Sequence, residues 1–262
     1  MHKKKGSNNN YILEIKTIQA STIIIIIILS NTSNEKYIDY NSNVYLSKEE
    51  SANIIKTDSD NYIRNLSKYD LYARDVSTSE EYIYKIIEGC LNFTEKQVIK
   101  LNNCSKIARN FFDNKFIWKF ALIEHVYEEG FPHTRMDIIF LSPKIINYPD
   151  DDLIRILIHE SIHIYQRYNK KEINKYLKDN KYTVSRRRDS EVLIRANPDL
   201  DDYIYKDKDG KEMIYIYKSS MPNGINDVIP NKNEHPFEKM AYEIEDVYNK
   251  NEKNIINTLA EL

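Results

Sequence analysis

The sequence predicts a mixed α+β fold, because helical and strand-like patterns alternate along the chain from residue 77 onward. Apolar residues recur at helical spacing between residues 151 and 168 and predict one long buried helix. Residues 115–122 and 136–141 carry the short or alternating apolar runs that are typical of strands. We therefore expect a small sheet, this central helix and a mainly helical C-terminal part within a domain at residues 77–262.

The composition supports a packed core and excludes several classes of protein. Of the 262 residues, 41% are hydrophobic, and only five glycines and seven prolines occur, which argues against a collagen-like or loop-dominated chain. The formal net charge of −2 gives no general attraction to nucleic acid, so nucleic acid is not an expected partner. Cys90 and Cys104 permit one disulfide, although two buried free thiols are favoured.

Residues 1–76 are predicted to form an N-terminal extension. A basic start is followed at residues 18–29 by an apolar segment with six successive isoleucines. This pattern is typical of a signal peptide or a weak membrane anchor, but it is short for a transmembrane helix and also suits a buried strand. The polar residues 31–76 are interpreted as a linker or a loosely packed helical segment. A membrane is therefore an open alternative as a partner, while a soluble location in a cell or a virion is favoured.

Regular element signals begin at residue 77. Capping boxes that start at Thr78 and Thr94 predict a helix after each of them. The strand at 115–122 follows, and a turn leads into the strand at 136–141. If that second strand lies at an exposed sheet edge, we expect it to pair with an extended peptide substrate.

Further elements are predicted after the long helix. A short helix is expected around residues 173–177, and a helical pattern continues through 186–194. Residues 203–217 predict a hairpin that turns at an Asp-Gly pair. Pro236 suits the first turn of a final helix.

The motif His159-Glu160-Ser-Ile-His163 lies inside the long predicted helix. Because residues four apart share a helix face, His159 and His163 can bind one metal ion. Glu160 projects about 100° away from His159 and can reach a water molecule without binding the metal. The alternative is that both histidines are ordinary half-buried residues of a core helix. A catalytic zinc site usually has three protein ligands, so an Asp, Glu or His from later in the chain is needed.

This arrangement resembles the gluzincin type of zincin metallopeptidases. In that family the third ligand is a Glu on a later helix, often within Glu-x-x-Ala, and Glu238-Lys-Met-Ala241 matches this pattern. The order of elements over residues 115–250 also resembles predicted metallopeptidases of large A+T-rich DNA viruses. The resemblance implies a zincin-like fold and one zinc ion, Zn²⁺, held by His159, His163 and Glu238. Either Glu243 or His235 is an alternative to Glu238.

The resemblance also implies zinc-dependent hydrolysis of a peptide or protein substrate. Glu160 would act as general base toward a water molecule, and a polar side chain would stabilise the oxyanion. The candidates for that second role are His133, Arg195, Tyr215 and Tyr242. The alternative function is a zincin-fold binding or structural protein that holds zinc without catalysis.

A second enzyme family shares a short motif with this chain. The tetrapeptide from Glu88 to Leu91 resembles the Glu-Gly-Cys-Leu of peptide deformylases, in which the cysteine is a metal ligand. The chain departs from that family because it lacks the preceding glycine-rich motif and has Ile162 where the deformylase helix has Asp.

Overall fold

The computed structural model describes residues 43–112, 116–188, 193–230 and 233–260. The predicted signal or anchor at residues 18–29 lies outside the described residues. No helix within the described ranges is both long enough and apolar enough to cross a membrane. The described chain has a mixed α+β architecture, as the sequence predicts.

Eight α-helices and seven strands lie in the described residues. The helices are α1 (Lys48–Thr57), α2 (Lys68–Tyr72), α3 (Ser79–Glu88), α4 (Glu95–Phe111), α5 (Pro143–Ile146), α6 (Asp150–Tyr168), α7 (Lys170–Asp179) and α8 (Pro236–Ala260). The strands are β1 (Val44–Tyr45), β2 (Cys90–Leu91), β3 (Lys119–Ile123), β4 (His133–Arg135), β5 (Ile138–Leu141), β6 (Thr183–Arg187) and β7 (Tyr203–Lys206).

The larger sheet has five strands and is built around β3. Strands β1 and β5 run parallel to β3, β2 runs antiparallel to it, and β4 pairs antiparallel with β5. The strand expected at 136–141 is therefore β5, which lies between β3 and β4. The condition for pairing with an extended peptide is therefore not met at this strand, because β4 takes the edge position.

The edge strand β4 is itself covered. All three of its residues are buried, and Arg167 at the end of α6 donates hydrogen bonds to the carbonyl and the hydroxyl of Thr134, at 2.9 and 2.7 Å. Arg167 also donates to the carbonyl of Met136. These hydrogen bonds connect the C-terminal end of α6 to β4.

Helix α6 is the central element, as the sequence predicts. Three aspartates, Asp150 to Asp152, occupy its first turn, where negative charge interacts favourably with the helix dipole. Eleven of its residues are buried, and it packs against α4, α8 and strands β4 and β5. These contacts on several sides hold the helix in one orientation, and this determines which of its side chains face each neighbour.

Residues 43–76 belong to the same packed unit as the sheet. The sequence instead predicts that they form part of a separate N-terminal extension. Ile55 and Ile63 are fully buried in one hydrophobic cluster with Ala121 and Phe140 of the sheet. The carboxylate of Asp58 accepts hydrogen bonds from the backbone of this segment and pairs with Arg135 at the end of β4. The domain therefore begins before residue 77.

The segment between α7 and α8 is less helical than expected. The predicted helical continuation at 186–194 is wrong in its first residues, because Thr183–Arg187 form β6 and pair antiparallel with β7. The predicted hairpin turn is present: Gly210 adopts φ +79°, and the backbone of Asp207 donates to the carbonyl of Lys211 at 2.9 Å. The C-terminal part thus combines two helices with a two-stranded sheet.

Both cysteines are buried free thiols, as favoured from the sequence. Cys90 lies in β2, and its thiol faces the carbonyl of Ile86 at 3.7 Å. Cys104 lies in α4. Burial raises the pKa of each thiol to about 11, so both stay protonated at neutral pH.

A buried ion pair joins the turn after α2 to the turn before β4, and α3 adds a hydrogen bond to it. Glu128 accepts hydrogen bonds from the guanidinium of Arg74, one of them at 2.5 Å, and from the hydroxyl of Tyr82. Burial opposes ionisation of Glu128, but Arg74 outweighs it and lowers the pKa of this carboxyl to about 2. Glu128 and Glu129 both have positive φ values, 47° and 53°, a backbone conformation that costs about 1–3 kcal/mol per residue.

We expect Glu128→Gln to lower the free energy of unfolding by about 3–5 kcal/mol at pH 7, because it leaves the buried Arg74 guanidinium without its carboxylate. The folded pKa lies below the unfolded value of about 4.3, so ionised Glu128 stabilises the fold above the unfolded pKa. That contribution disappears as the pH falls toward 2. Urea unfolding at pH 7 and pH 3 measures both effects, with the exposed Glu80→Gln as control. A difference between variant and wild type that is equally large at pH 3 would contradict this assignment.

Candidate metal centre

Helices α6 and α8 pack against each other and bring the three predicted ligands together. His159 and His163 lie on α6, and Glu238 lies in the first turn of α8. One ligand atom from each lies within 4.8 Å of the others, so the group could hold a metal ion. A Glu238 oxygen lies 3.2 Å from His159 Nε2 and 3.7 Å from His163 Nε2.

The two alternative ligands lie outside this group. Glu243 is five residues after Glu238, about 140° round the helix, and accepts a hydrogen bond from the hydroxyl of Tyr176 at 3.1 Å. His235 is buried, and its Nε2 faces Asp201 at 3.3 Å. Each alternative is thus directed toward a different partner.

The second ring nitrogen of each histidine has its own acceptor. His163 Nδ1 lies 3.0 Å from the side-chain oxygen of Gln166, whose amide nitrogen donates to the carbonyl of Phe237. That second bond fixes the amide, so its oxygen faces the ring. His159 Nδ1 lies 3.3 Å from a Glu245 oxygen. Both rings are therefore held with Nε2 toward Glu238, the arrangement expected of metal-binding histidines.

Sequence reasoning missed Gln166 and Glu245. Gln166 follows His163 by three residues, and Glu245 follows Glu238 by seven, so each shares a helix face with a ligand. This spacing is the only sign of their role in the sequence. In a chain with 30% charged residues, many other polar residues also share a helix face with a ligand. Only the packing of α6 against α8 shows that Gln166 and Glu245 are the residues that contact the histidine rings.

The ligand group is strongly coupled electrostatically. Burial disfavours a charged His159, but hydrogen bonds with Glu238 and Glu245 outweigh it and raise the pKa of His159 to about 10. Burial likewise disfavours an ionised Glu238, but the two histidines lower the pKa of this carboxyl to about 2. A metal ion at this place would displace the proton that His159 shares with Glu238, because a histidine nitrogen must be deprotonated to bind a metal.

Glu160 lies beside the ligands without belonging to their group. It is 5% exposed, and its Oε2 has no hydrogen-bond partner among the described residues. Burial, together with the nearby charges of Asp199 and Glu238, raises the pKa of Glu160 to about 8. A buried carboxyl with a free oxygen and a pKa near neutrality is suited to accept and release a proton.

A cleft of about 480 Å³ opens over the ligand group. Its lining includes Glu160 and all four residues that the sequence offered for the oxyanion: His133, Arg195, Tyr215 and Tyr242. Cys90 is not among the described residues that line it. The structure therefore gives no support to a deformylase-like cysteine ligand.

The three aromatic oxyanion candidates differ in how their polar groups are engaged. His133 stacks on Phe140 and is buried, which lowers its pKa and keeps it neutral. The Tyr215 hydroxyl donates to Glu234 at 2.5 Å. Tyr242 follows Glu238 by one helical turn, and its ring lies 4.8 Å from the His159 ring, centroid to centroid. Its hydroxyl makes no hydrogen bond within the part of the chain that is described.

Comparison of the chain with protein-family models, curated proteins and solved structures gave no match.

We expect His159→Ala and Glu238→Ala each to abolish stoichiometric metal binding, because two ligands cannot hold the ion tightly. Glu245→Gln should weaken affinity by about 10- to 100-fold, since it removes the charged acceptor of His159 Nδ1. Elemental analysis and competition with a chelator measure both effects. Glu243→Gln is the matched control on the same helix and should keep full metal content. Full retention of metal in Glu238→Ala would exclude this ligand set.

Proposed function

We propose that the chain is a zinc-dependent peptidase with a zincin-like fold. Two imidazole nitrogens and one carboxylate, held on two packed helices, form a donor set typical of catalytic zinc sites. The order of sheet, histidine-bearing helix and glutamate-bearing helix supports the fold that the sequence suggests. The observation that carries the proposal is the buried Glu160 carboxyl, with its unpartnered oxygen, beside this donor set.

Each chain residue has a distinct part in the proposed hydrolysis. A zinc ion at this place would polarise the scissile carbonyl and make a water molecule more acidic. Glu160 would take the proton from that water and later pass it to the leaving amine, and its unpartnered Oε2 is available to accept that proton. Gln166 and Glu245 hold the two histidine rings in place throughout.

The Tyr242 hydroxyl is the best candidate to stabilise the oxyanion. Of the two tyrosine candidates, Tyr215 already donates its proton to Glu234. His133 is neutral and packed between the rings of Tyr62 and Phe140. Tyr242 lies against His159 with a free hydroxyl, so it can donate to an oxygen that becomes negative above the ligand group.

The alternative, a zinc-binding protein without catalysis, accounts less well for the same residues. A purely structural zinc site usually has four protein ligands, whereas this group has three among the described residues and opens into a cleft. Such a site has no need of Glu160. A buried, unpartnered carboxyl oxygen costs about 1–3 kcal/mol, and general-base catalysis gives a reason for that cost.

We expect Glu160→Gln to lower peptide hydrolysis by about 100- to 10,000-fold, because the amide cannot accept the proton of the attacking water. Metal content should be unchanged, since Glu160 is not a ligand. Cleavage of a broad peptide library by mass spectrometry, with elemental analysis of the same samples, measures both. The absence of any cleavage by the zinc-loaded wild type would favour the binding protein instead.

We expect Tyr242→Phe to lower kcat by about 100- to 1,000-fold with little change in KM, because the lost hydroxyl acts only on the developing oxyanion. Tyr215→Phe is the matched comparison in the same cleft and should lower kcat much less. Steady-state kinetics on one cleaved peptide separates the two. A larger loss in Tyr215→Phe than in Tyr242→Phe would reverse the assignment.

A further inference from the structure

Two arginines are among the described residues that line the cleft, and only one of them is engaged by a carboxylate. Arg74 forms the buried ion pair with Glu128. The guanidinium of Arg195 forms no ion pair within the described residues. Its only side-chain hydrogen bond there is a long one, 3.4 Å, to the side-chain oxygen of Asn197. Arg195 therefore has a fork of N–H donors that is largely unused.

The position of this guanidinium is fixed. Its carbon atom lies 4.5 Å from the centre of the Tyr215 ring, in a cation–π contact. The backbone of Arg195 donates to the carbonyl of Tyr215 at 2.9 Å, and the hydroxyl of Tyr215 is bonded to Glu234. An arginine held on a rigid platform loses little conformational entropy when it binds a ligand.

The carboxylates of the cleft have other partners. Glu128 pairs with Arg74, and Glu234 accepts the hydrogen bond from Tyr215. Glu238 and Glu245 both face the ring nitrogens of His159. Glu160 and Asp199 interact electrostatically with Arg167, on the α6 side of the cleft. None of these six carboxylates forms an ion pair with Arg195.

We propose that Arg195 recognises a carboxylate of the substrate beside the scissile bond. The planar guanidinium fork matches a carboxylate in two parallel hydrogen bonds, and Arg195 presents it inside the cleft that holds Glu160 and the ligand group. The carboxylate can come from an Asp or Glu side chain or from the C-terminus of a peptide. This inference rests on the proposed peptidase function and defines its substrate class.

The first test uses the zinc-loaded full chain and a library of short peptides, each made with its carboxylate and with the matching amide. One arm amidates the C-terminus, and the other replaces Asp or Glu by Asn or Gln. In the wild type we expect one of these changes to raise KM by about 10- to 100-fold, with little effect on kcat. In Arg195→Met the same change should have no effect on KM.

Two further variants sharpen the test. Arg195→Lys keeps the charge but loses the fork, so it should retain only part of the preference. Arg187→Met removes an exposed arginine of β6 and should behave as the wild type. Unchanged discrimination in Arg195→Met would overturn the proposal. So would an equal loss of kcat on charged and amidated peptides, because that pattern indicates a role at the oxyanion.

A binding measurement keeps the inference separate from the peptidase proposal. The side-chain Nε–H signal of Arg195, assigned by its loss in Arg195→Lys, is followed by NMR as peptides are added to the full chain. The probes are acetyl-trialanine with a free or amidated C-terminus, and amidated acetyl-Ala-Asp-Ala with its Asn counterpart. A shift with one carboxylate form and not with its amide supports the inference even if no peptide is cleaved. No shift with any of the four overturns it.

Discussion

The packing of α6 against α8 is the constraint on which the rest of the site depends. Helical spacing places His159 and His163 on one face of α6, but it says nothing about the partner that this face meets. Glu238 reaches them because α8 begins at Pro236 and passes directly beside them. Gln166 joins the two helices through the carbonyl of Phe237, in addition to holding a histidine ring. Rotation of α8 by one residue would turn Glu238 about 100° away.

Most of the buried charge in the described chain is compensated locally. Arg135 pairs with Asp58 and Asp60, and Arg188 pairs with Asp70. Such pairs fix the relation between distant parts of the chain, because an unpaired charge inside a protein is costly. Against this background the buried Glu160 is a departure from the rule, and the half-buried Arg195, which lines the same cleft, also has no ion-pair partner among the described residues. Local rules are most often broken where a site does chemistry or binds a ligand.

The sequence predicts the part of the site that depends on local geometry. The two histidines and Glu160 follow from helix spacing alone, and Glu238 follows from a family pattern. The edge position of β4 was not predictable, because pairing order depends on contacts between distant segments. The contribution of residues 43–76 was missed for a similar reason. Their buried residues, such as Ile55 and Ile63, are scattered among polar ones, and their short elements show no sustained period.

Arg167 has a consequence beyond the contacts already described. An edge strand has unpaired backbone N–H and C=O groups that can form hydrogen bonds with a strand of another chain. Such pairing is a common route to aggregation. The guanidinium of Arg167 occupies the Thr134 carbonyl with a charged donor that a neighbouring strand cannot easily displace. We therefore expect this side chain at the end of α6 to disfavour the pairing of a further strand with β4 at Thr134.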